Sequence, residues 1–422
     1  MQLSRSILWM SLSLVAGCLS PMDDGGKTDD AGNSPVDDAG VTQPLTDASG
    51  FPPGSNPDFT TPGSNPTPDF STPGKPAIPY VYIGSANAQI GVYKLDRSTG
   101  ALTSVDTTAL ANGAPTFLAV DPQHKYLYAA NEVQTGGVSA YSINQATGKL
   151  THLNDQPMAN FGPTHVSVDQ AGKFVFAANY NTGHVASYPI QADGKVGTAA
   201  DDKQPGTNAH QAVTDPSNKF VFVPCLGSDY VAQFTLNATS GVLTANTPAT
   251  LGIGPPAGQP NQVGPRHMAF HPNGKWIYLA LETASQVAPL LLDTTTGRLS
   301  AMQTPLSSLT APVAGNTEAE VQVHPNGKFV YSSNRGDNSI ALFTVGATGQ
   351  LSFVSTKKTG GATPRHFSID PSGAWLLVAH QGSGNVGVFA IDPTSGALTA
   401  AAGGLTNFAT PEFISVVELP AP

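Results

Sequence analysis

Short apolar runs recur along most of the chain, and each is bounded by Gly, Pro, Asn or Asp. The runs are built from aromatic and β-branched residues, which is the pattern of β-strands rather than of helices. Seven of them occur, beginning at Tyr80, Tyr126, Phe174, Phe220, Trp276, Phe329 and Trp375. A repeat with a period of about fifty residues predicts a solenoid or a propeller.

Two kinds of turn frame these repeats. Six of the seven runs follow a turn that opens with Asp or His, at Asp121, Asp169, Asp215, His271, His324 and Asp370. A second turn, rich in Thr and Gly, closes each repeat, as in residues 96–102 and 392–398. Each repeat therefore corresponds to four antiparallel strands, which make one propeller blade. The sequence predicts an all-β fold, a seven-bladed β-propeller.

The first repeat lacks the strand that precedes the Asp or His turn elsewhere. A matching strand stands at the other end of the chain, because residues 411–417 align with residues 115–121 position for position. We expect this C-terminal strand to complete the first blade. Such a strand closes the ring and removes an exposed sheet edge.

The first seventy-six residues predict export and a tether. Residues 1–17 carry Arg5 and an apolar run too short to span a membrane, as in a secretory signal peptide. Residues 15–18 resemble a bacterial lipobox, which predicts lipidation of Cys18; the alternative is ordinary cleavage beside a chance cysteine. Residues 18–76 form an Asp/Pro/Gly/Ser/Thr-rich segment that predicts a disordered tether. Residues 77–422 would then be the propeller, exported and lipid-anchored in the cell envelope, in the outer membrane or facing the periplasm.

Charge and composition exclude several classes of function. The formal charge is −10, and no zinc-finger or RNA-recognition pattern occurs, so a nucleic-acid partner is not expected. No His, Asp or Glu cluster has metal-ligand spacing, so no metal and no cofactor are predicted. We expect a monomer that meets the membrane only through its lipid.

Polar residues with catalytic potential fall at one end of the predicted blades. One set opens the first strand of each blade and another follows the second strand, and antiparallel pairing brings both to the same rim of the central channel. His210, Arg266, Glu282 and Arg335 come from consecutive blades in these sets. A general acid or base beside cations suits catalysis on an anionic substrate or transition state. The alternative is that these side chains merely line a water-filled channel and neutralise one another.

Four segments around these positions resemble a known family, the seven-bladed β-propeller lactonases. They are residues 208–211, 264–267 with 271–275, 319–321 with 333–336, and 364–367 with 380–382. The family includes bacterial 6-phosphogluconolactonases and fungal carboxymuconate lactonising cyclases, and the resemblance spans residues 78–419. It implies catalytic roles for His210, Arg266, Glu282 and Arg335. Further candidates for substrate binding are Gln211, His267, Glu320, Arg365, His366 and Gln381.

The resulting hypothesis is a lactone hydrolase that opens a sugar-type lactone, as a 6-phosphogluconolactonase does. Two alternatives use the same surface: a non-catalytic binding module at the cell surface, and a lactonising cyclase or isomerase. Whether the chain is an enzyme at all is left open at this point, because a fold does not fix a function.

Overall fold

The computed structural model describes residues 77–110, 113–159, 161–254 and 262–421. The predicted signal peptide, Cys18 and the tether lie outside these residues. Within the described part the regular elements are β-strands, apart from one 3-10 turn at Leu226–Ser228. No helix in that part is long and apolar enough to cross a membrane.

The described strands form seven antiparallel sheets, which are the blades of a propeller. Blade 1 contains β1 (Ala77–Ser85), β2 (Gln89–Asp96), β3 (Ala101–Ala109) and β30 (Pro411–Pro420). Blade 2 contains β4 (Pro115–Val120), β5 (Tyr126–Asn131), β6 (Gly137–Ile143) and β7 (Leu150–Pro157), and blade 3 contains β8 (His165–Val168), β9 (Phe174–Asn179), β10 (His184–Pro189) and β11 (Asp201–Lys203). Blade 4 contains β12 (Val213–Thr214), β13 (Phe220–Cys225), β14 (Tyr230–Leu236) and β15 (Leu243–Gly252).

The outermost strand is interrupted in two of the remaining three blades. Blade 5 contains β16 (Pro265–Phe270), β17 (Trp276–Leu281), β18 (Gln286–Asp293), β19 (Arg298–Ala301) and β20 (Leu306–Ser307). Blade 6 contains β21 (Glu318–Val323), β22 (Phe329–Asn334), β23 (Ser339–Val345) and β24 (Leu351–Lys358). Blade 7 contains β25 (Pro364–Ile369), β26 (Trp375–His380), β27 (Asn385–Ile391), β28 (Leu398–Ala400) and β29 (Thr406–Asn407). The seven-bladed all-β fold predicted from the repeats is confirmed.

The recurring aromatic strand of each blade packs into the interface with the next blade. Buried tyrosines of these strands donate hydrogen bonds to the carbonyl of the hairpin glycine one blade further on. The pairs are Tyr82 with Gly148 (2.8 Å), Tyr128 with Gly194 (3.1 Å), Tyr278 with Gly349 (3.0 Å) and Tyr331 with Gly396 (2.7 Å). Each phenol thus buries its ring while satisfying its hydroxyl, which is what a buried tyrosine requires.

The Asp and His residues that open the turns cap them. Asp215 Oδ1 accepts hydrogen bonds from the backbone N–H groups of Lys219 and Phe220, both at 2.8 Å. His324 takes the same place in blade 6, where its Nδ1 accepts from the N–H of Asn326 at 3.1 Å. These histidines are therefore structural turn residues at the rim opposite the predicted site.

The C-terminal strand closes the ring. β30 pairs with β1 along the whole strand, from Ala77 opposite Pro420 to Ser85 opposite Pro411. Arg97 then joins blade 1 to blade 7, because its Nε lies 2.8 Å from Asp370 Oδ2 and its NH2 lies 2.5 Å from Glu418 Oε1 of β30. The first blade is built from both ends of the propeller domain.

Candidate active site

The first strands carry β-bulges where they reach the mouth of the channel. The register shifts at Thr116, between Pro265 and Met268, between Glu318 and Val321, at Arg365 and at Glu412. A bulge leaves a residue out of the ladder and re-aims its side chain. Thr116, Arg266, Arg365 and Glu412 accordingly line the cavity at the channel mouth.

The residues at the start of the first strands form one layer of the mouth. A second layer follows the second strands, sixteen positions later in sequence. Antiparallel pairing places the two layers side by side: Pro265 lies opposite Leu281, so Arg266 and Glu282 are neighbours. The same relation holds for Thr116 with Glu132 and for Arg365 with Gln381.

Arg266, Glu282 and Arg335 form one ion-paired cluster. Arg266 Nε lies 2.9 Å from Glu282 Oε2, and Arg335 NH2 lies 2.7 Å from Glu282 Oε1. The NH1 group of Arg266 donates to the carbonyl of Ala319 at 2.6 Å. Burial lowers the pKa of Arg266 to about 9, although the charge of Glu282 opposes this shift. The guanidinium therefore stays charged at neutral pH. Arg335 Nε–H is buried and has no acceptor among the described residues.

His210 stands beside this cluster in a dry environment. It is 4% exposed, and its Nδ1 has no hydrogen-bond partner in the described part of the chain. Burial, with the charge of Arg266 as a second cause, holds the pKa of His210 well below the usual histidine value. The ring is therefore neutral at neutral pH and can accept a proton. It contacts the rings of Tyr180 and His267 edge-on, at centroid distances of 5.6 and 4.9 Å.

A layer of aromatic and polar rings closes the channel beneath the mouth. Phe117 packs against His165 and Phe413, with centroids 4.3 and 4.5 Å apart. Glu320 Oε2 lies 2.7 Å from His267 Nδ1 and 3.4 Å from His366 Nε2. Burial raises the pKa of Glu320, so this network holds a proton at neutral pH.

The predicted site residues thus divide between two depths. His210, Arg266, Glu282, Arg335, Arg365 and Gln381 lie at the mouth, whereas Gln211, His267, Glu320 and His366 belong to the layer beneath. His267 and His366 still border the cavity. Gln211 does not offer its oxygen to the cavity, because Oε1 accepts the backbone N–H of Met268 at 2.8 Å. We retain a supporting role for Gln211 as a prediction.

The opposite half of the mouth holds residues that sequence reasoning passed over. Glu412 accepts a hydrogen bond from Gln381 Nε2 at 2.7 Å and lies 3.3 Å from Arg365 Nε. Glu132 accepts hydrogen bonds from the hydroxyls of Thr116, at 3.0 Å, and Thr164, at 2.8 Å. Glu132 stands at the same place in blade 2 as Glu282 in blade 5, and this equivalence was the sequence signal that could have identified it.

The two halves face each other across a depression at the channel mouth, bordered by Thr116, Thr164, His210, Arg266, Arg365 and Glu412. Polar groups converge on it from several blades above a floor of rings, as in many small-ligand sites. In residues 77–110, 113–159, 161–254 and 262–421 no group of three His, Cys, Asp or Glu side chains is placed to hold a metal ion. The chemistry that these side chains can supply is proton transfer and stabilisation of negative charge.

A seven-bladed propeller with a basic and acidic site at one channel mouth defines the class of this protein. The family model "Lactonase, 7-bladed beta-propeller" matches residues 80–416, and the chain belongs to that family. The 6-phosphogluconolactonase of Bacillus subtilis is 33% identical over 337 residues, which cover 76% of this chain and 93% of the relative. That of Formosa agariphila is 38% identical over 138 residues, which cover 32% of this chain and 38% of the relative.

Solved structures give the same result. A periplasmic gluconolactonase of Pseudomonas aeruginosa has a TM-score of 0.73 and 26% identity and covers 81% of this chain and 100% of its own. A putative 6-phosphogluconolactonase from Bacteroides fragilis has a TM-score of 0.73 and 25% identity and covers 81% of this chain and 98% of its own.

Proposed function

We propose that this propeller is a lactone hydrolase that opens a sugar-type lactone at the mouth of its channel. One observation carries the proposal: a neutral, buried histidine, whose Nδ1 has no partner among the described residues, lies beside two arginines that share one carboxylate. Family membership and the names of the relatives support the same class of reaction.

In the proposed reaction, water attacks the lactone carbonyl carbon while His210 accepts a proton from it. Negative charge then develops on the carbonyl oxygen, and Arg335 and Arg266 stabilise it. The bond between the carbonyl carbon and the ring oxygen breaks, the histidinium returns its proton to that oxygen, and a hydroxy acid results. Both Glu282 oxygens already bind arginines, so we assign Glu282 to positioning them rather than to activating water.

The location of the protein belongs to the same proposal. The lipobox-like residues 15–18 support export and lipidation at Cys18, and the similarity to a periplasmic gluconolactonase is consistent with export. We propose a monomeric, lipid-anchored enzyme of the cell envelope.

The proposal is tested by the rate of ring opening of γ- and δ-lactones of sugar acids with the full-length chain, after subtraction of spontaneous hydrolysis. Arg335→Ala should lower turnover about 10²–10³-fold, since it removes a donor to the developing oxyanion. Arg298→Ala is the matched control, because Arg298 is exposed and follows the hairpin at the opposite rim. Equal rates for wild type and buffer across the panel would leave a binding module as the better account.

A further inference from the structure

The mouth of the channel contains two glutamates at equivalent positions of blades 2 and 5, three blades apart in a ring of seven. Each carboxylate is held by one side chain from its own blade and one from the next blade. Glu282 is held by Arg266 and Arg335, whereas Glu132 is held by the hydroxyls of Thr116 and Thr164. The two halves of the mouth therefore share one geometry and differ in charge.

The half around Glu132 carries a second carboxylate and one cation. Glu412 pairs there with Arg365 and accepts from Gln381. Burial raises the pKa of Glu412, and the negative charge of Glu132 adds to that shift. This half of the mouth is acidic and rich in hydroxyl and amide groups, while the half around Glu282 has two arginines for one carboxylate.

Among the described residues that line the mouth, each arginine is already ion-paired. Arg266 and Arg335 bind Glu282, and Arg365 lies beside Glu412. A phosphate monoester carries a charge of about −1.5 to −2 at neutral pH and is usually bound by arginines free to donate to it. Arg365, the one cation among the described residues of the acidic half, stands against two carboxylates, so a phosphate there would meet net negative charge.

Sugar hydroxyls fit this half of the mouth. A carboxylate has about four lone-pair sites, so Glu132 can accept from substrate hydroxyls in addition to Thr116 and Thr164, and each threonine oxygen can itself accept a hydrogen bond. His210 borders the same cavity and also indicates a ligand there. It is 4% exposed, and its Nδ1 has no partner in the described part of the chain.

We infer that the half of the mouth formed by Thr116, Thr164, Glu132 and Glu412 is a subsite for uncharged sugar hydroxyls, so that the lactone opened here is not phosphorylated. The inference rests on the proposed function. The lactone carbonyl would face Arg266 and Arg335, and the hydroxyl-bearing end of the sugar would reach across to Glu132.

The test compares kcat/KM for a sugar δ-lactone and its 6-phosphorylated form with the full-length chain. Wild type should prefer the uncharged lactone by about tenfold or more, because like charges at a partly dry site repel strongly. Glu132→Lys should reduce this preference at least about tenfold, chiefly through KM for the phosphorylated lactone. Glu132→Gln should reduce it less, and this milder variant covers the case in which lysine prevents folding. Asp193→Lys, an equal charge change at an exposed hairpin on the opposite rim, should leave the preference unchanged.

A wild type that prefers the phosphorylated lactone, or a preference that is the same in wild type and both Glu132 variants, would overturn the inference and leave the proposed function intact. Failure to open either lactone would overturn the proposed function instead. Titration calorimetry with 1,5-anhydroglucitol, a sugar ring without the carbonyl, then measures binding to the subsite without the reaction. Binding by wild type that is weakened in Glu132→Lys supports it, and absence of binding by wild type overturns it.

Discussion

At the scale of single residues, Glu318 departs most clearly from the repeat. The other first strands have Pro115, Pro163, Ala209, Pro265, Pro364 and Pro411 at its position. Glu318 is completely buried, and no described group forms a well-aligned hydrogen bond with its carboxyl oxygens. Burial raises its pKa well above the usual value, and the nearby Ser332 opposes that shift only in part. The raised pKa favours the neutral carboxylic acid at Glu318, whose backbone carbonyl accepts from Arg335 NH2 of the arginine cluster at 3.3 Å.

This arrangement makes the stability of the fold depend on pH. As the pH rises above about 4.5, Glu318 ionises in the unfolded chain but stays protonated in the folded one, so folding loses stability up to the folded pKa. Glu318→Gln removes this loss while keeping the shape of the side chain. We expect the variant to melt at a higher temperature than wild type at pH 8 and at nearly the same temperature at pH 4.5. An equal difference at both pH values would contradict a protonated Glu318.

At the scale of elements, ion pairs of Arg97 link β30, the strand that closes the ring, to blade 7. Arg97 contacts Asp370, whose side chain is fully buried, and Glu418 on β30. Arg97→Ala should destabilise the propeller by about 1–3 kcal/mol, less than a fully buried pair because Arg97 is partly exposed. Chemical denaturation measures this free energy, and Lys195→Ala, which breaks an exposed pair, serves as the control. A loss no larger than that of the control would show that backbone pairing alone closes the ring.

The elements were predictable from sequence where one periodic signal dominates. The aromatic strands recur in every blade because each blade must bury the same faces, and the C-terminal strand follows from the strand missing in the first repeat. The bulges at Thr116 and Arg266 were not predictable, since a bulge depends on how two strands pair and not on either strand alone. The outer strands of blades 5 and 7 break for a similar reason, because the outermost strand has a partner on only one side.

The candidate active site was likewise predictable only in part. The sets of polar residues at the strand ends identify the rim and its arginines, because strand direction alone decides the rim. Which arginine binds which carboxylate depends on side-chain packing, so the pairing of Arg266 and Arg335 through Glu282 was open, and so was the acidic half around Glu132. The side chain of Gln211 turned to the backbone for the same reason.

At the scale of the whole molecule, the proposed lipidation site Cys18 lies outside the propeller that carries the candidate active site. If Cys18 carries the lipid, Cys18→Ala should move the protein from the membrane fraction to the soluble fraction. Lactone turnover should not change, because the site lies entirely within residues 77–421. The measurement is fractionation of cells followed by the lactone assay. Retention of the variant in the membrane fraction would contradict lipidation as the means of attachment.

In the proposed reaction the channel mouth opens lactones with His210 as the proton acceptor. This proposal is tested most directly by proton release from a sugar lactone at neutral pH, measured for wild type, His210→Ala and the exposed control His152→Ala. We predict that wild type and His152→Ala open the lactone well above the spontaneous rate, and that His210→Ala loses about 10²–10⁴ of the rate while still melting as a cooperatively folded protein. A wild-type rate equal to that of buffer, or a folded His210→Ala variant as fast as wild type, would contradict the account.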